Sequence, residues 1–167
     1  MNRTIFNTSL WVVLYLLLQV FFFRGMILFD STFCFVYIAC TLSMSFDTPK
    51  SQVLLMAFGT GFFVDLFYNT LGLHAASTVF LAFARPTILR ILTPARGYEE
   101  RTEPLISDMS LRWVISYVFL SALLHSTLLF TLESLNISLI IPLLVKIITS
   151  TLYTTFVIVT LQYFRGN

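Results

Sequence analysis

The sequence predicts an all-α polytopic membrane protein: a single domain of six transmembrane helices with both termini cytoplasmic. Three observations predict it. First, 57% of the 167 residues are hydrophobic and only 11% are charged, where a soluble domain carries roughly 25% charged residues. Ten Lys and Arg with eight Asp and Glu cannot clothe a soluble globule of this size. This composition excludes a soluble domain, a disordered chain and a nucleic-acid binder built on a basic face. Second, apolar stretches punctuated by Gly, Pro, Asn and charge give six candidate spans. Third, the basic residues collect on one side of the expected topology.

The expected spans are 5–23, 31–46, 52–68, 72–92, 111–132 and 141–164. The first stops at Arg24-Gly25. It resembles a signal sequence, but no small-residue cleavage site follows Phe23, so a retained helix is expected. The second is bracketed by Asp30 and Asp47. Its sixteen residues make only about 24 Å of helix, less than the roughly 30 Å hydrocarbon core. The third follows Thr48-Pro49, a plausible cap and first-turn proline. Only Asn69-Thr70-Leu71 separates it from Gly72, which predicts a tight turn and a close antiparallel hairpin with the fourth. The fourth continues past Arg85-Pro86 through an amphipathic stretch carrying Arg90. The fifth and sixth follow the polar loop 93–110, which holds Pro94, Arg96, Gly97, Glu99, Glu100, Arg101, Glu103, Pro104 and Asp108. That loop is charge-balanced and reads as a solvated connector, with a docking loop for a cytoplasmic partner as the alternative.

With the N-terminus inside, the cytoplasmic side holds Arg3, Lys50, Arg85, Arg90, Arg96, Arg101, Arg112 and Arg165, and the outer side only Arg24. This bias orients the bundle. Cys34 and Cys40 stand six apart in one apolar segment, roughly 9 Å along a helix, too far for a disulfide. They have no metal-ligand spacing. No G-x-S-x-G, phosphate loop or H-E-x-x-H is present. No enzymatic activity, cofactor or metal is expected. The Asn-x-Ser/Thr triplets, Asn136-Ile137-Ser138 among them, carry no weight.

Ionisable groups inside a membrane bundle are costly and mark function by default. Arg24, Asp65, His74, His125, Glu133 and Lys146 all fall in the expected outer half, and the inner half holds almost none. Three readings are open: an ion-pair network that sets helix register, a small-ligand pocket open to the outside, or a polar groove for a partner's helix. Asp65 and Lys146 come out at nearly equal depth, so they are the expected pair, with His74 and Arg24 as alternative partners of Asp65. Ala57 and Gly61 form a small-residue face that favours close helix approach. A bulky Gly61 is therefore expected to block docking while leaving the bundle folded.

The run Gly59-Thr-Gly61-Phe-Phe-Val-Asp65-Leu-Phe-Tyr-Asn-Thr-Leu71-Gly72-Leu73-His74-Ala75 resembles the signature of the rod shape-determining MreD family. Phe83-Ala-Arg85-Pro86, Gly97-Tyr98-Glu99, Trp113, Tyr117, His125 and Glu133 are similar to the versions found in Bacteroidetes-type bacteria. The specific motif covers 59–133; the flanking helices match in hydropathy alone. The resemblance implies a non-enzymatic subunit of the cell-elongation machinery in the bacterial inner membrane. Its implied partners are the lipid bilayer, a single-span MreC-like scaffold and, in a larger complex, a RodA-type glycosyltransferase and a class B penicillin-binding protein. It also implies a bundle like the S components of energy-coupling-factor vitamin transporters. An S component that binds a small molecule is the alternative function. Gly61, Asp65, Gly72 and His74 are the expected contact, with His125, Glu133, Lys146 and Arg24 as further partner or pocket candidates.

Overall fold

The computed structural model describes residues 2–26, 28, 31–95, 97–98, 102–134 and 140–166. Asp30, the loop charges Arg96, Glu99, Glu100 and Arg101, and the triplet at 136–138 lie outside the described residues. The chain is helical: α1 (Asn2–Leu17), α2 (Ala39–Leu42), α3 (Lys50–Tyr68), α4 (Leu73–Ile91), α5 (Leu111–Ser134) and α6 (Ile140–Gly166). Among the described residues there is no β-strand, only an antiparallel bridge between Leu28 and Thr32. Three helices, α3, α5 and α6, are long and apolar enough to cross a membrane. Leu10–Phe23 is a shorter apolar helix. In α4 the apolar run is interrupted by His74, Ser77, Thr78 and Arg85, all buried inside the bundle.

One expectation is corrected. The segment 31–46 is not a transmembrane helix. Residues 31–35 are non-helical, Val36–Ile38 form a 3₁₀ turn, and α2 is a single helical turn. Every residue from Cys34 to Ser43 is buried, so this stretch is the centre of the bundle. Buried non-helical backbone requires partners from other elements, and α6 supplies them. The Phe33 N–H donates to Ser150 Oγ at 2.9 Å and the Phe35 N–H to Thr154 Oγ1 at 3.0 Å. Alternate residues of an extended chain and every fourth residue of a helix both advance about 6 Å, so two hydroxyls on one helix face serve two successive outward N–H groups. The run Phe33-Cys34-Phe35-Val36-Tyr37-Ile38 is aromatic and β-branched, a composition that suits extended backbone. An apolar run this short reads equally as helix or as buried extended chain.

The first segment carries a second irregularity. Beyond α1 the helix widens into a π-turn over Leu18–Phe23. This turn sets the buried Gln19 side chain against the central segment. Its amide donates to the Cys34 carbonyl at 3.0 Å and meets the Tyr68 hydroxyl at 2.7 Å.

The expected hairpin of α3 and α4 is present. Asn69 ends α3 in the left-handed conformation at φ 56°, and Gly72 opens α4 at φ 85°. At Gly61 the helices touch through backbone. An added Cβ would stand 2.6 Å from the Ala75 Cα and 2.8 Å from the His74 carbonyl oxygen. Glycine is thus required at Gly61 by the fold itself. Gly61 is not a free face for a partner, and a bulky residue there would not leave the bundle intact.

The end opposite the 69–72 turn is closed by the loop. Its described part keeps exposed residues at Thr93, Gly97, Ser107 and Asp108 and is anchored to the bundle at several points. The Tyr98 hydroxyl donates to the Leu89 carbonyl at 2.7 Å, and Trp113 Nε1 donates to that of Leu92 at 2.8 Å. Both cap the last turn of α4. Phe46 stacks on Tyr98 at 4.3 Å. The Phe46 N–H and the Ser45 hydroxyl each donate to the Thr102 carbonyl at 3.2 Å. Leu105 is buried. Burial pushes the Glu103 carboxyl above its ordinary range, with Arg165 opposing and Asp108 reinforcing the shift.

Candidate functional site: a polar cluster at the turn end

The first-turn N–H groups of a helix need acceptors. The Gly72 N-cap of α4 has no side chain to offer. Asp65, on α3, provides the cap across the hairpin. Its carboxylate accepts the His74 N–H at 3.0 Å and the Ala75 N–H at 2.9 Å, the second and third helical donors after the cap. It also accepts the His74 Nδ1–H at 3.0 Å and the Thr70 hydroxyl. Asp65 and His74 are each 4% exposed. A negative carboxylate at the positive end of a helix dipole is further favoured.

This geometry corrects the expected pairing. Asp65 is joined to His74, the alternative partner, and not to Lys146. Lys146 Nζ instead bonds Glu133 Oε2 at 2.7 Å. Its ammonium also lies over the rings of Phe130 at 4.4 Å and Phe33 at 4.8 Å. Equal depth does not bring two residues together; the azimuth of each helix decides. Asp65 faces α4, while Lys146 faces α5.

The remaining candidates are linked through residues that the sequence reading passed over. The His125 Nε2 and the Tyr37 hydroxyl are 2.8 Å apart. The Thr78 hydroxyl lies 3.1 Å from the Tyr37 hydroxyl and donates to the His74 carbonyl at 2.7 Å. The ring of His74 sits 5.1 Å from that of Tyr68, over which the Arg24 guanidinium lies at 5.8 Å. Phe35 lies between His74 and His125, at 6.2 and 5.1 Å, and reaches Phe130 at 5.6 Å. All six ionisable candidates thus occupy one end of the bundle. They form two groups, Asp65–His74 with Arg24 over Tyr68 and His125 behind Tyr37, and Lys146–Glu133 behind Phe130. His125 Nδ1 is buried and has no partner among the described residues. Tyr37 and Gln19 were legible only as polar atoms inside apolar runs.

Arg85 was also missed. It reads as a cytoplasmic charge, but it is a buried side chain on α4. Its Nε donates to the Tyr117 hydroxyl at 2.9 Å. Its Nη2 donates to the Met44 carbonyl and, at 3.5 Å, to that of Ser45. Arg85 thus satisfies the carbonyls of the chain that leaves α2. The signal was the arginine's place before Pro86, inside an otherwise apolar helix.

Fold and site together define a helical membrane protein with buried polar side chains that bond both one another and the backbone of neighbouring elements. No protein-family model, curated protein or solved structure matches the chain.

Proposed function

We propose that this chain is a non-enzymatic subunit of the bacterial cell-elongation machinery in the inner membrane, as its resemblance to the MreD family implies. In this reading both termini are cytoplasmic and the 69–72 turn faces outward. The subunit acts through contacts with an MreC-like single-span scaffold and, in the larger complex, a RodA-type glycosyltransferase and a class B penicillin-binding protein. One observation carries the reading. Within the signature stretch, Gly61, Asp65, Gly72, His74 and Ala75 lock the hairpin together, whereas Gly59 has no neighbour within 4 Å of where a Cβ would stand. Gly59 lines an apolar groove of about 530 Å³ between α1 and α3, with Val12, Leu16, Leu55, Met56 and Phe63. A small residue on an open apolar face lets a partner helix approach closely. The contact therefore moves from Gly61 to Gly59.

The test pairs two outcomes. Gly59→Leu should fold normally and lose co-purification of the single-span partner, and deletion of the protein should turn rod-shaped cells round. The S-component reading is favoured by the aromatic and polar character of the turn end, with His125 Nδ1 left open. Against it, Asp65 and His74 bond each other, and the Tyr37 hydroxyl is taken up by His125 and Thr78. A purified protein that retained a vitamin-like molecule, with cell shape unaffected by deletion, would decide for that alternative.

A further inference from the structure

We propose that the groove between α5 and α6 holds the acyl chain of an anionic phospholipid whose phosphate rests on Arg112. This goes beyond the contact function proposed above and does not depend on it.

The two helices pack antiparallel. Lys146 and Glu133 join them at one end, so the start of α5 and the last turns of α6 share the other, the loop end. Between them runs a groove of about 330 Å³, walled by Ile115 and Phe119 of α5 and by Leu152, Phe156 and Val159 of α6. Leu152 and Phe156 are 56% and 70% exposed. Two threonines also reach the wall, but each hydroxyl is spent on its own helix. Thr155 Oγ1 donates to the Thr151 carbonyl and Thr160 Oγ1 to that of Phe156, at 2.7 and 2.8 Å. The wall is therefore apolar, and it belongs to two helices long and apolar enough to cross a membrane.

The chemistry at the mouth selects the occupant. Arg112, in the first turn of α5, stands three residues before Ile115 and seven before Phe119, on one helix face. It is exposed, and among the described residues its guanidinium bonds no carboxylate. On α6, Tyr163 follows Thr160 by three residues and is exposed. A tyrosine near the end of a spanning helix sits at the level of the lipid headgroups. An apolar channel that ends in a cation at that level matches a lipid with a negative headgroup. Other occupants fit less well. A polar small molecule would find no group in the wall to orient it. A helix of a second copy would meet the rings of Phe119 and Phe156, where close packing in a membrane uses small residues.

The test reads lipid contact in nanodiscs of the full chain. Phe156→Trp puts a fluorophore in the groove wall. Phe62→Trp puts one on the exposed side of α3, more than three turns from Lys50, as the control. The nanodiscs are phosphatidylcholine with a small fraction of lipid brominated on its acyl chains, either phosphatidylglycerol or phosphatidylcholine. Quenching of the parent chain, through Trp11 and Trp113, is subtracted. Brominated phosphatidylglycerol should be enriched at the groove over brominated phosphatidylcholine by about fivefold, the pull of one arginine on anionic lipid. The control should show no such preference, and adding Arg112→Gln should abolish it at the groove. That change breaks no side-chain bond among the described residues, so the fold should stand. Equal quenching by the two lipids, an equal preference at the control, or a preference that survives Arg112→Gln would overturn the proposal. Absence of quenching by either lipid at the groove would mean that a second copy covers it, and would overturn the proposal as well.

Discussion

Asp65 caps the helix that His74 begins, and it does so from the neighbouring helix. The His74 N–H and Nδ1–H both end on the same carboxylate oxygen, each at 3.0 Å. The helix start, the turn and the crossing of α3 with α4 are thereby one unit. Gly61 permits the contact, Gly72 makes the turn, and Asp65 fastens it.

Asp65→Ala should cost about 3–5 kcal/mol, because it leaves two backbone donors and an imidazole donor buried without an acceptor. Lys146→Met should add to this loss independently, within about 0.5 kcal/mol, as for sites that share no partner. Unfolding of the purified single and double variants in mixed micelles measures both. A coupling well above that would restore the Asp65–Lys146 pair.

Gly61→Ala should destabilise by about 1–3 kcal/mol, since the new methyl meets Ala75 backbone that cannot rotate away. Gly59→Ala should be neutral or stabilising by up to about 1 kcal/mol, because helix propensity improves in open space. Thermal melts of the two variants side by side give the comparison, and equal effects would contradict the assigned packing.

Ser150→Ala and Thr154→Val should each cost about 1–3 kcal/mol by orphaning the N–H groups of Phe33 and Phe35. Thr160→Val is the control. Its hydroxyl is exposed and bonds only its own helix, at the Phe156 carbonyl. Faster amide exchange at Phe33 and Phe35 in the first two variants, and none in the third, is the expected signature.

The Glu103 carboxyl titrates above its ordinary value of 4.5 in the folded chain, chiefly through burial. The folded state thus holds the proton more tightly than the unfolded one. This contribution is complete below pH 4.5 and is lost as pH rises through the raised value. Melting midpoints across that window should fall less steeply with pH in Glu103→Gln than in the parent. Identical slopes would show that Glu103 is not buried against Arg165.

Composition alone determined that this chain belongs in a membrane, because eighteen charges cannot hydrate a surface of this size. Gly, Pro and Asn spacing determined the hairpin of α3 and α4, because Asn69 and Gly72 accept left-handed backbone that other residues resist. The gathering of Arg24, Asp65, His74, His125, Glu133 and Lys146 at one end was also legible, since helical rise converts sequence position into depth. Azimuth was not. Whether Asp65 faces Lys146 or His74 depends on which way each helix is turned, and small residues such as Gly61 set that only when packed. Nor was the central segment legible. Its apolar run is compatible with either a helix or an extended chain, and hydroxyls more than a hundred residues away, on Ser150 and Thr154, decide between them by supplying the bonds that a helix would have made for itself.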